Sequence, residues 1–169
     1  MTRETVLVTP RVRVTTWLAD DLADLHELHS DPLAMRTMNS GVERLDQTRG
    51  RLDGYLREQV EYGWTKWRVE DLSGAMVGRA GFNLFEDGRH RELGYVLTPA
   101  LWGRGVATEL AGALLRWHRE HPDPRWEPEV FALAFADNAA SRRVLEKAGF
   151  TLVDERMHRG RLHACYRAS

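Results

Sequence analysis

Residues Leu93 to Thr108 read Leu-Gly-Tyr-Val-Leu-Thr-Pro-Ala-Leu-Trp-Gly-Arg-Gly-Val-Ala-Thr, which is strand, glycine turn and helix start in succession. Leu93 to Leu97 is short, apolar and β-prone, and Pro99 ends the pairing because it has no N–H to donate. Gly103 and Gly105 let the backbone turn without side-chain obstruction. From Val106 the apolar residues fall at Val106, Leu110, Leu114 and Trp117, with Ala113 beside them, one face of a 3.6-residue period. The first N–H groups of such a helix have no internal acceptor, and with the peptide dipoles they favour an anion against Gly103 to Thr108.

Two familiar phosphate loops are excluded. A dinucleotide fingerprint needs a third glycine where Thr108 stands, and a Walker loop needs Gly-Lys-Ser or Gly-Lys-Thr, which occurs nowhere in the chain. Arg89, Arg91 and Arg104 flank the turn in sequence and offer charge for several phosphates; solvated surface arginines are the competing reading.

Working outward, the chain of 169 residues has the length of one domain, 1–169. Its net charge of -1 provides no overall basic field, so direct nucleic-acid binding is not expected. Cys165 is the single cysteine, so no internal disulfide can form, in keeping with a reducing cytoplasm. No run approaches the ~18 apolar residues of a membrane span, and no membrane partner is expected.

The opening, Val6 to Val8 and Val12 to Trp17, alternates as a strand broken at Pro10. Asp20 or Asp21 can cap a helix carrying Leu22, Leu25 and Leu28, and Leu33 to Met38 continues as a short helical turn. Asp46 to Tyr62 reads as a longer helix with Leu52, Tyr55, Leu56, Gln59 and Val60 along one side. Three antiparallel strands follow, Trp64 to Val69, Ala75 to Leu84 and Arg89 to Leu97, joined by turns at Asp71 to Gly74 and Glu86 to Gly88. Trp64 and Trp67 read as core. After the helix to Glu120, where His118 and His121 face the last carbonyls, comes a proline-rich loop and a strand from Val130 to Ala134. Asp137 can cap a helix from Asn138 to Ala148 ending at Gly149. Phe150 to Arg156 and Arg161 to Tyr166 close the sheet as a hairpin about Gly160. His26 and His29 are three apart, not the four of the zinc-protease motif, and no third ligand is evident; no metal is expected.

Three stretches together carry a resemblance. Gly94-Tyr-Val-Leu-Thr-Pro99 followed by Trp102-Gly-Arg-Gly-Val-Ala-Thr-Glu109 resembles the acetyl-coenzyme A loop of the GCN5-related N-acetyltransferase (GNAT) superfamily, in its RimJ/RimL-type ribosomal-protein branch. Asn138-Ala-Ala-Ser141 and Leu145-Glu-Lys-Ala-Gly-Phe150 resemble the family's closing motif, and Thr9 to Val14, Asp20-Asp21 and Ser30 to Pro32 resemble that branch's opening. The resemblance implies an α/β fold: a mixed, mostly antiparallel sheet of six to seven strands, about four flanking helices, and a splay between the fourth and fifth strands. It implies acetyl-coenzyme A as co-substrate. Backbone groups of Tyr95, Val96 and Leu97 would pair with the pantetheine arm, and Gly103, Arg104, Gly105, Val106, Ala107 and Thr108 would hold the pyrophosphate. Asn138 would hold the pantetheine, and Ser141 would donate a proton to the departing thiolate. Leu145 stands where other branches place a tyrosine, and Leu133 where one branch places an acid. Met35 to Gly41 would contribute to acceptor choice.

Glu92 is the candidate base. Strand alternation sets it on one face with Gly94 and Val96, and a carboxylate there can take a proton through water; an ion pair with a neighbouring arginine is the alternative. The expected activity is direct acetyl transfer to a primary amine, either a protein N-terminus or a small molecule, without a covalent acetyl-enzyme. A non-catalytic acyl-coenzyme A-binding module is the competing class. Monomer and homodimer both remain open.

Overall fold

The computed structural model describes residues Met1 to Ser169. Eight strands form one sheet in the order β1-β2-β3-β4-β5-β6-β8-β7. They are β1 (Thr5–Val8), β2 (Val12–Thr15), β3 (Lys66–Asp71), β4 (Met76–Leu84), β5 (Arg91–Leu97), β6 (Val130–Phe135), β7 (Thr151–His158) and β8 (Arg161–Ala168). The helices are α1 (Leu22–His29), α2 (Pro32–Met35), α3 (Leu45–Glu61), α4 (Val106–Glu120) and α5 (Ala139–Ala148). The eighth strand, beyond the six or seven expected, comes from the opening segment. Thr9 N–H donates to the Val12 carbonyl at 2.9 Å across Pro10, folding one interrupted strand into the antiparallel pair β1–β2. The fifth helix is the single turn α2, started by Asp31 Oδ1 accepting from Leu33 N–H.

The chain divides into two compact units. The first comprises Met1–Gly81 with Tyr95–Val106, and the second Phe82–Gly94 with Ala107–Ser169. In the first, β1, β2, β3 and the start of β4 run antiparallel. Trp17, Leu25, Leu52 and Tyr55 form one apolar cluster beside the sheet, while Trp64 and Trp67 are buried as core, as read from the sequence. Val60 is 71% exposed and does not join the α3 core stripe; Gln59 takes that side instead, bonding the Trp17 backbone N–H and carbonyl at 3.0 Å each.

Two buried charge networks brace this unit. Asp21 is the N-cap residue of α1, but its side chain makes no cap bond to that helix. It accepts two bonds from Arg3 at 2.9 and 2.7 Å and one from Arg68 at 3.3 Å, and also takes the Leu18 N–H. Arg68 reaches Asp24 at 2.7 Å and Glu70 at 3.0 Å. Burial alone would raise the Asp21 pKa, but the Arg3 bonds and the Arg68 charge outweigh it and hold the carboxyl below its ordinary value. The second network is centred on His29, one of the pair considered for metal. Its Nδ1 meets Glu43 Oε1 at 2.7 Å, and its Nε2 accepts from Arg79 Nε at 2.8 Å; Arg51 also bonds Glu43. Burial first, then Arg79, push the His29 pKa down to about 4 against the pull of Glu43, so the ring is neutral at pH 7.

In the second unit, β6, β8 and β7 pair antiparallel and β5 joins β6 in parallel. The α4 stripe is Val106, Leu110, Ala111, Leu114, Leu115 and His118; Ala113 and Trp117 are only half-buried, so the buried face is rotated from the sequence expectation. Gly149 ends α5 at φ 107° as expected, whereas the N-cap is Asn138, not Asp137.

Two stability predictions follow from the charge networks. Asp21→Ala should cost about 3 kcal/mol in urea unfolding, because it strips a carboxylate from two arginines, one of them buried. A loss below about 1 kcal/mol, the value of an exposed pair, would contradict this. For His29 the folded pKa lies below the ordinary 6.5, so below that pH the unfolded chain binds a proton that the native state refuses. Stability is therefore complete above pH 6.5 and declines towards pH 4. His29→Gln keeps an acceptor for Arg79 and a donor for Glu43, and its melting temperature should fall less over that window; an unchanged slope would refute the assignment.

Candidate active site

The sequence-derived residues fall in both units. In the first, β5 ends in Tyr95, Val96 and Leu97, and a 3-10 turn (Pro99–Leu101) leads to Trp102 and the glycine turn. Gly103 and Gly105 have φ of 72° and 78°, a region costly for side-chain-bearing residues. Gly103, Arg104 and Gly105 are all exposed, and α4 starts at the next residue. The backbone therefore presents an uncovered turn ahead of a 15-residue helix, a form suited to a diphosphate.

The end of β5 is oriented by its neighbours. A Cβ on Gly78 would lie 2.3 Å from the Val96 carbonyl oxygen, so only glycine permits β4 to approach there, and the Thr98 N–H donates to Val77 O at 2.8 Å. Peptide groups are planar and trans, so the Leu97 N–H points opposite to the Val96 carbonyl, away from β4. The Leu97 carbonyl points the same way and accepts from the Trp102 indole at 3.0 Å. Val96 also packs with Leu28, Ala34 and Met35, with Met38 against the cluster, so the start of the expected acceptor segment abuts this strand.

The second unit carries Glu92, Ala107, Thr108, Asn138 and Ser141. Ala107 and Thr108 are half-buried in the first turn of α4. Glu92 is half-buried and sits opposite Phe131 in the β5–β6 register, which comprises Arg91↔Val130, Glu92↔Phe131 and Leu93↔Ala132. β5 itself continues to Leu97 and β6 to Phe135. Along β5, burial alternates from Arg91 to Gly94, then lapses at Tyr95 and resumes with Val96 and Leu97 both buried, so a strict two-residue period does not extend from Glu92 to Val96. Asn138 Oδ1 accepts the Ser141 N–H at 3.2 Å, joining the two motif residues at the head of α5.

The arginines are distributed otherwise than their sequence positions suggest. Arg91 is buried, bonding His118 Nδ1 at 3.0 Å and the His121 carbonyl twice at 3.1 Å; Arg89 pairs with Glu127 at 3.6 Å. Arg91 is therefore a structural residue. His118 Nε2 bonds the Pro128 carbonyl, and burial lowers the pKa of its ring, whereas His121 does meet a helix-end carbonyl, that of Trp117. The turn receives two arginines that its own sequence neighbourhood does not contain. Arg11 Nη1 donates to the Arg104 carbonyl at 2.5 Å, and the Arg36 guanidinium lies 5.2 Å from the centre of the Trp102 ring. Cys165 is fully buried, and burial pushes its thiol pKa up to about 11, which suits a core residue and not a nucleophile. No group of three or more His, Cys, Asp or Glu is arranged to hold a metal ion, and no helix is long and apolar enough to cross a membrane.

A family model for the acetyltransferase (GNAT) domain matches residues 11–151. The uncharacterized protein YkkB of Bacillus subtilis is 34% identical over 153 residues, covering 88% of this chain and 87% of that protein. Among solved structures, RimL, a ribosomal L7/L12 alpha-N-protein acetyltransferase in complex with coenzyme A, superimposes with TM-score 0.78 at 18% identity over 98% of this chain and 97% of that one. The aminoglycoside acetyltransferase AAC(6')-Ib with coenzyme A gives 0.76 at 18% identity over 94% of each. With the family model spanning most of its length, the chain belongs to the GCN5-related N-acetyltransferase family and is an acetyl-coenzyme A-dependent N-acetyltransferase.

Proposed function

We propose that the chain transfers acetyl directly to a primary amine, either a peptide N-terminus or a small-molecule amine, with Glu92 and Ser141 handling the protons. The observation that carries this reading is the exposed turn at Gly103 to Gly105, opening onto α4 a short 3-10 turn after a strand whose last N–H points away from its neighbour. Bound acetyl-coenzyme A supplies an acetyl thioester. In this reading the first N–H groups of α4, with Gly103 to Thr108, hold the diphosphate, and Tyr95, Val96 and Leu97 align the pantetheine arm as an added strand. The Leu97 N–H is oriented to polarise a carbonyl, as an oxyanion donor does.

Proton handling is divided between two side chains. A peptide α-amine, with pKa ~7.7–8.0, reaches its neutral form with little help, whereas a lysine-like amine, near ~10.4, needs a base. Glu92 takes that proton through water; the neutral amine then attacks, the Ser141 hydroxyl donates a proton to the departing thiolate, and the proton released by the adduct's nitrogen restores the hydroxyl. Asn138 uses Oδ1 to cap α5 on Ser141 N–H, which orients its Nδ2 group for an amide carbonyl of the pantetheine. The two solved relatives are named for a ribosomal protein and for aminoglycosides, so the fold is compatible with either class of acceptor.

The test is acetyl-coenzyme A consumption across N-terminal peptides and small amines. Ser141→Ala should lower kcat by ~10²-fold while leaving coenzyme A affinity unchanged. Glu92→Gln should cost lysine-like acceptors at least ten times more than α-amines, in line with their pKa difference. Rates insensitive to both substitutions, with tight coenzyme binding retained, would favour the acyl-coenzyme A-binding module without turnover.

A further inference from the structure

We infer that Asn83 positions the proposed base: its side-chain oxygen is kept as an open acceptor across the strand from Glu92, so that Glu92, once protonated, donates its new O–H to it. This rests on the acetyltransferase reading, in which Glu92 accepts the proton of the amine. The Phe85 N–H donates to the His90 carbonyl at 2.9 Å, closing the turn between β4 and β5. β4 ends at Leu84 and β5 begins at Arg91, so counting inward from that bond pairs Leu84 with Arg91 and Asn83 with Glu92. Both side chains leave the same face. Phe85 and His90, two residues along from each, meet the Phe131 ring at 4.3 and 4.9 Å between centroids, and Phe131 is the β6 neighbour of Glu92. Asn83 and Glu92 are both half-buried there.

The amide of Asn83 is committed on one side only. Its Nδ2 donates to the Leu84 carbonyl at 2.9 Å, which fixes which end of the amide is the oxygen, whereas Oδ1 is buried and accepts from no group. A buried acceptor without a donor is costly, and its persistence calls for a donor that arrives during function. An ionised carboxylate only accepts and cannot serve it; a protonated carboxyl carries one O–H and can. Directly opposed residues stand about 4.5–5.5 Å apart between Cβ atoms, within reach of an asparagine and a glutamate. Because the bond exists only for the protonated form, it favours capture of the proton. The proton passes from the ammonium through water to the Glu92 carboxylate, the O–H so formed is held by Asn83 while the neutral amine attacks, and the proton then leaves to solvent, restoring the carboxylate. Other charges share this side of the sheet. Glu86, Asp154 and Arg156 act with Glu92 on the Cys165 thiol, and His90 pairs with Asp87 at 2.6 Å and Glu129 at 3.8 Å.

Urea unfolding of the full chain with Asn83→Leu, Glu92→Gln and the double variant tests the pairing without an acceptor amine. Glu92→Gln puts an amide N–H opposite Oδ1 at any pH. At pH 7 its effect on the unfolding constant should be about tenfold more favourable in the wild-type background than in Asn83→Leu, the other contacts of Glu92 cancelling in the cycle. Between pH 7 and 4 the loss caused by Asn83→Leu should grow about tenfold in the unfolding constant, because the native bond is present while Glu92 is protonated and is lost as pH rises. The Asn83 bond to Leu84 does not depend on pH, and His29 titrates alike in every variant. With Glu92→Gln in place that growth should vanish. A coupling below about twofold, or a pH dependence that persists with Glu92→Gln, overturns the assignment. Asn83→Ala removes the same oxygen and repeats the cycle should Asn83→Leu fail to fold. Coupling accompanied by acetylation rates insensitive to Glu92→Gln refutes Glu92 as the base, and the catalytic reading of the pair with it. No coupling, with rates that do respond to Glu92→Gln, refutes the role of Asn83 alone.

Discussion

The end of β5 is governed by where its main-chain carbonyls are taken up. At Val96 the carbonyl turns towards β4, where Gly78 lacks the side chain that would obstruct it. At Leu97 the carbonyl turns the other way and is taken by the Trp102 indole. Planarity of the intervening peptide then fixes the direction of the Leu97 N–H without any contribution from side-chain chemistry. In the proposed reaction such a strand tip would act as a preorganised donor, since preorganisation is what lets a backbone group stabilise developing charge without first reorienting.

Charge is used in two different ways. The Asp21–Arg68 and His29–Glu43–Arg79 networks lie in the interior, where ions are costly unless matched, and their bonds are numerous and short, although Arg79 Nη1 is buried without a hydrogen-bond partner. They link α1, β3, β4 and the segment before α3, the elements around the apolar cluster of Trp17 and Leu25. Arg11 and Arg36 stand at the surface beside the turn, the first donating to the Arg104 carbonyl and the second lying by the Trp102 ring.

Much of the architecture was legible in the chain because the signals are local. Pro99, Gly103 and Gly105 fix a turn through backbone sterics, Asp87-Gly88 a hairpin, and Gly149 a helix end, each within a few residues. The cap of α5 was misplaced by one residue because Asp137 and Asn138 are both good caps and only geometry chooses between them. Of the α4 stripe that the period places on Val106, Leu110, Leu114 and Trp117 beside Ala113, the first three are buried, but Ala111, Leu115 and His118 complete the face in place of Ala113 and Trp117; adjacent apolar residues leave the phase of a helix ambiguous until its neighbours are known.

By itself, then, the sequence determined the order of elements, the glycine turn at the head of α4 and, through two spaced motifs, the family, all of which depend on interactions between near neighbours. The tertiary structure decided which charges serve the fold and which face the turn. Arg91, two residues before Leu93, is buried against His118, while Arg11, far away along the chain, lies on Gly105. Long side chains find partners through space, and no periodicity in the sequence encodes which strand turn will arrive beside which loop.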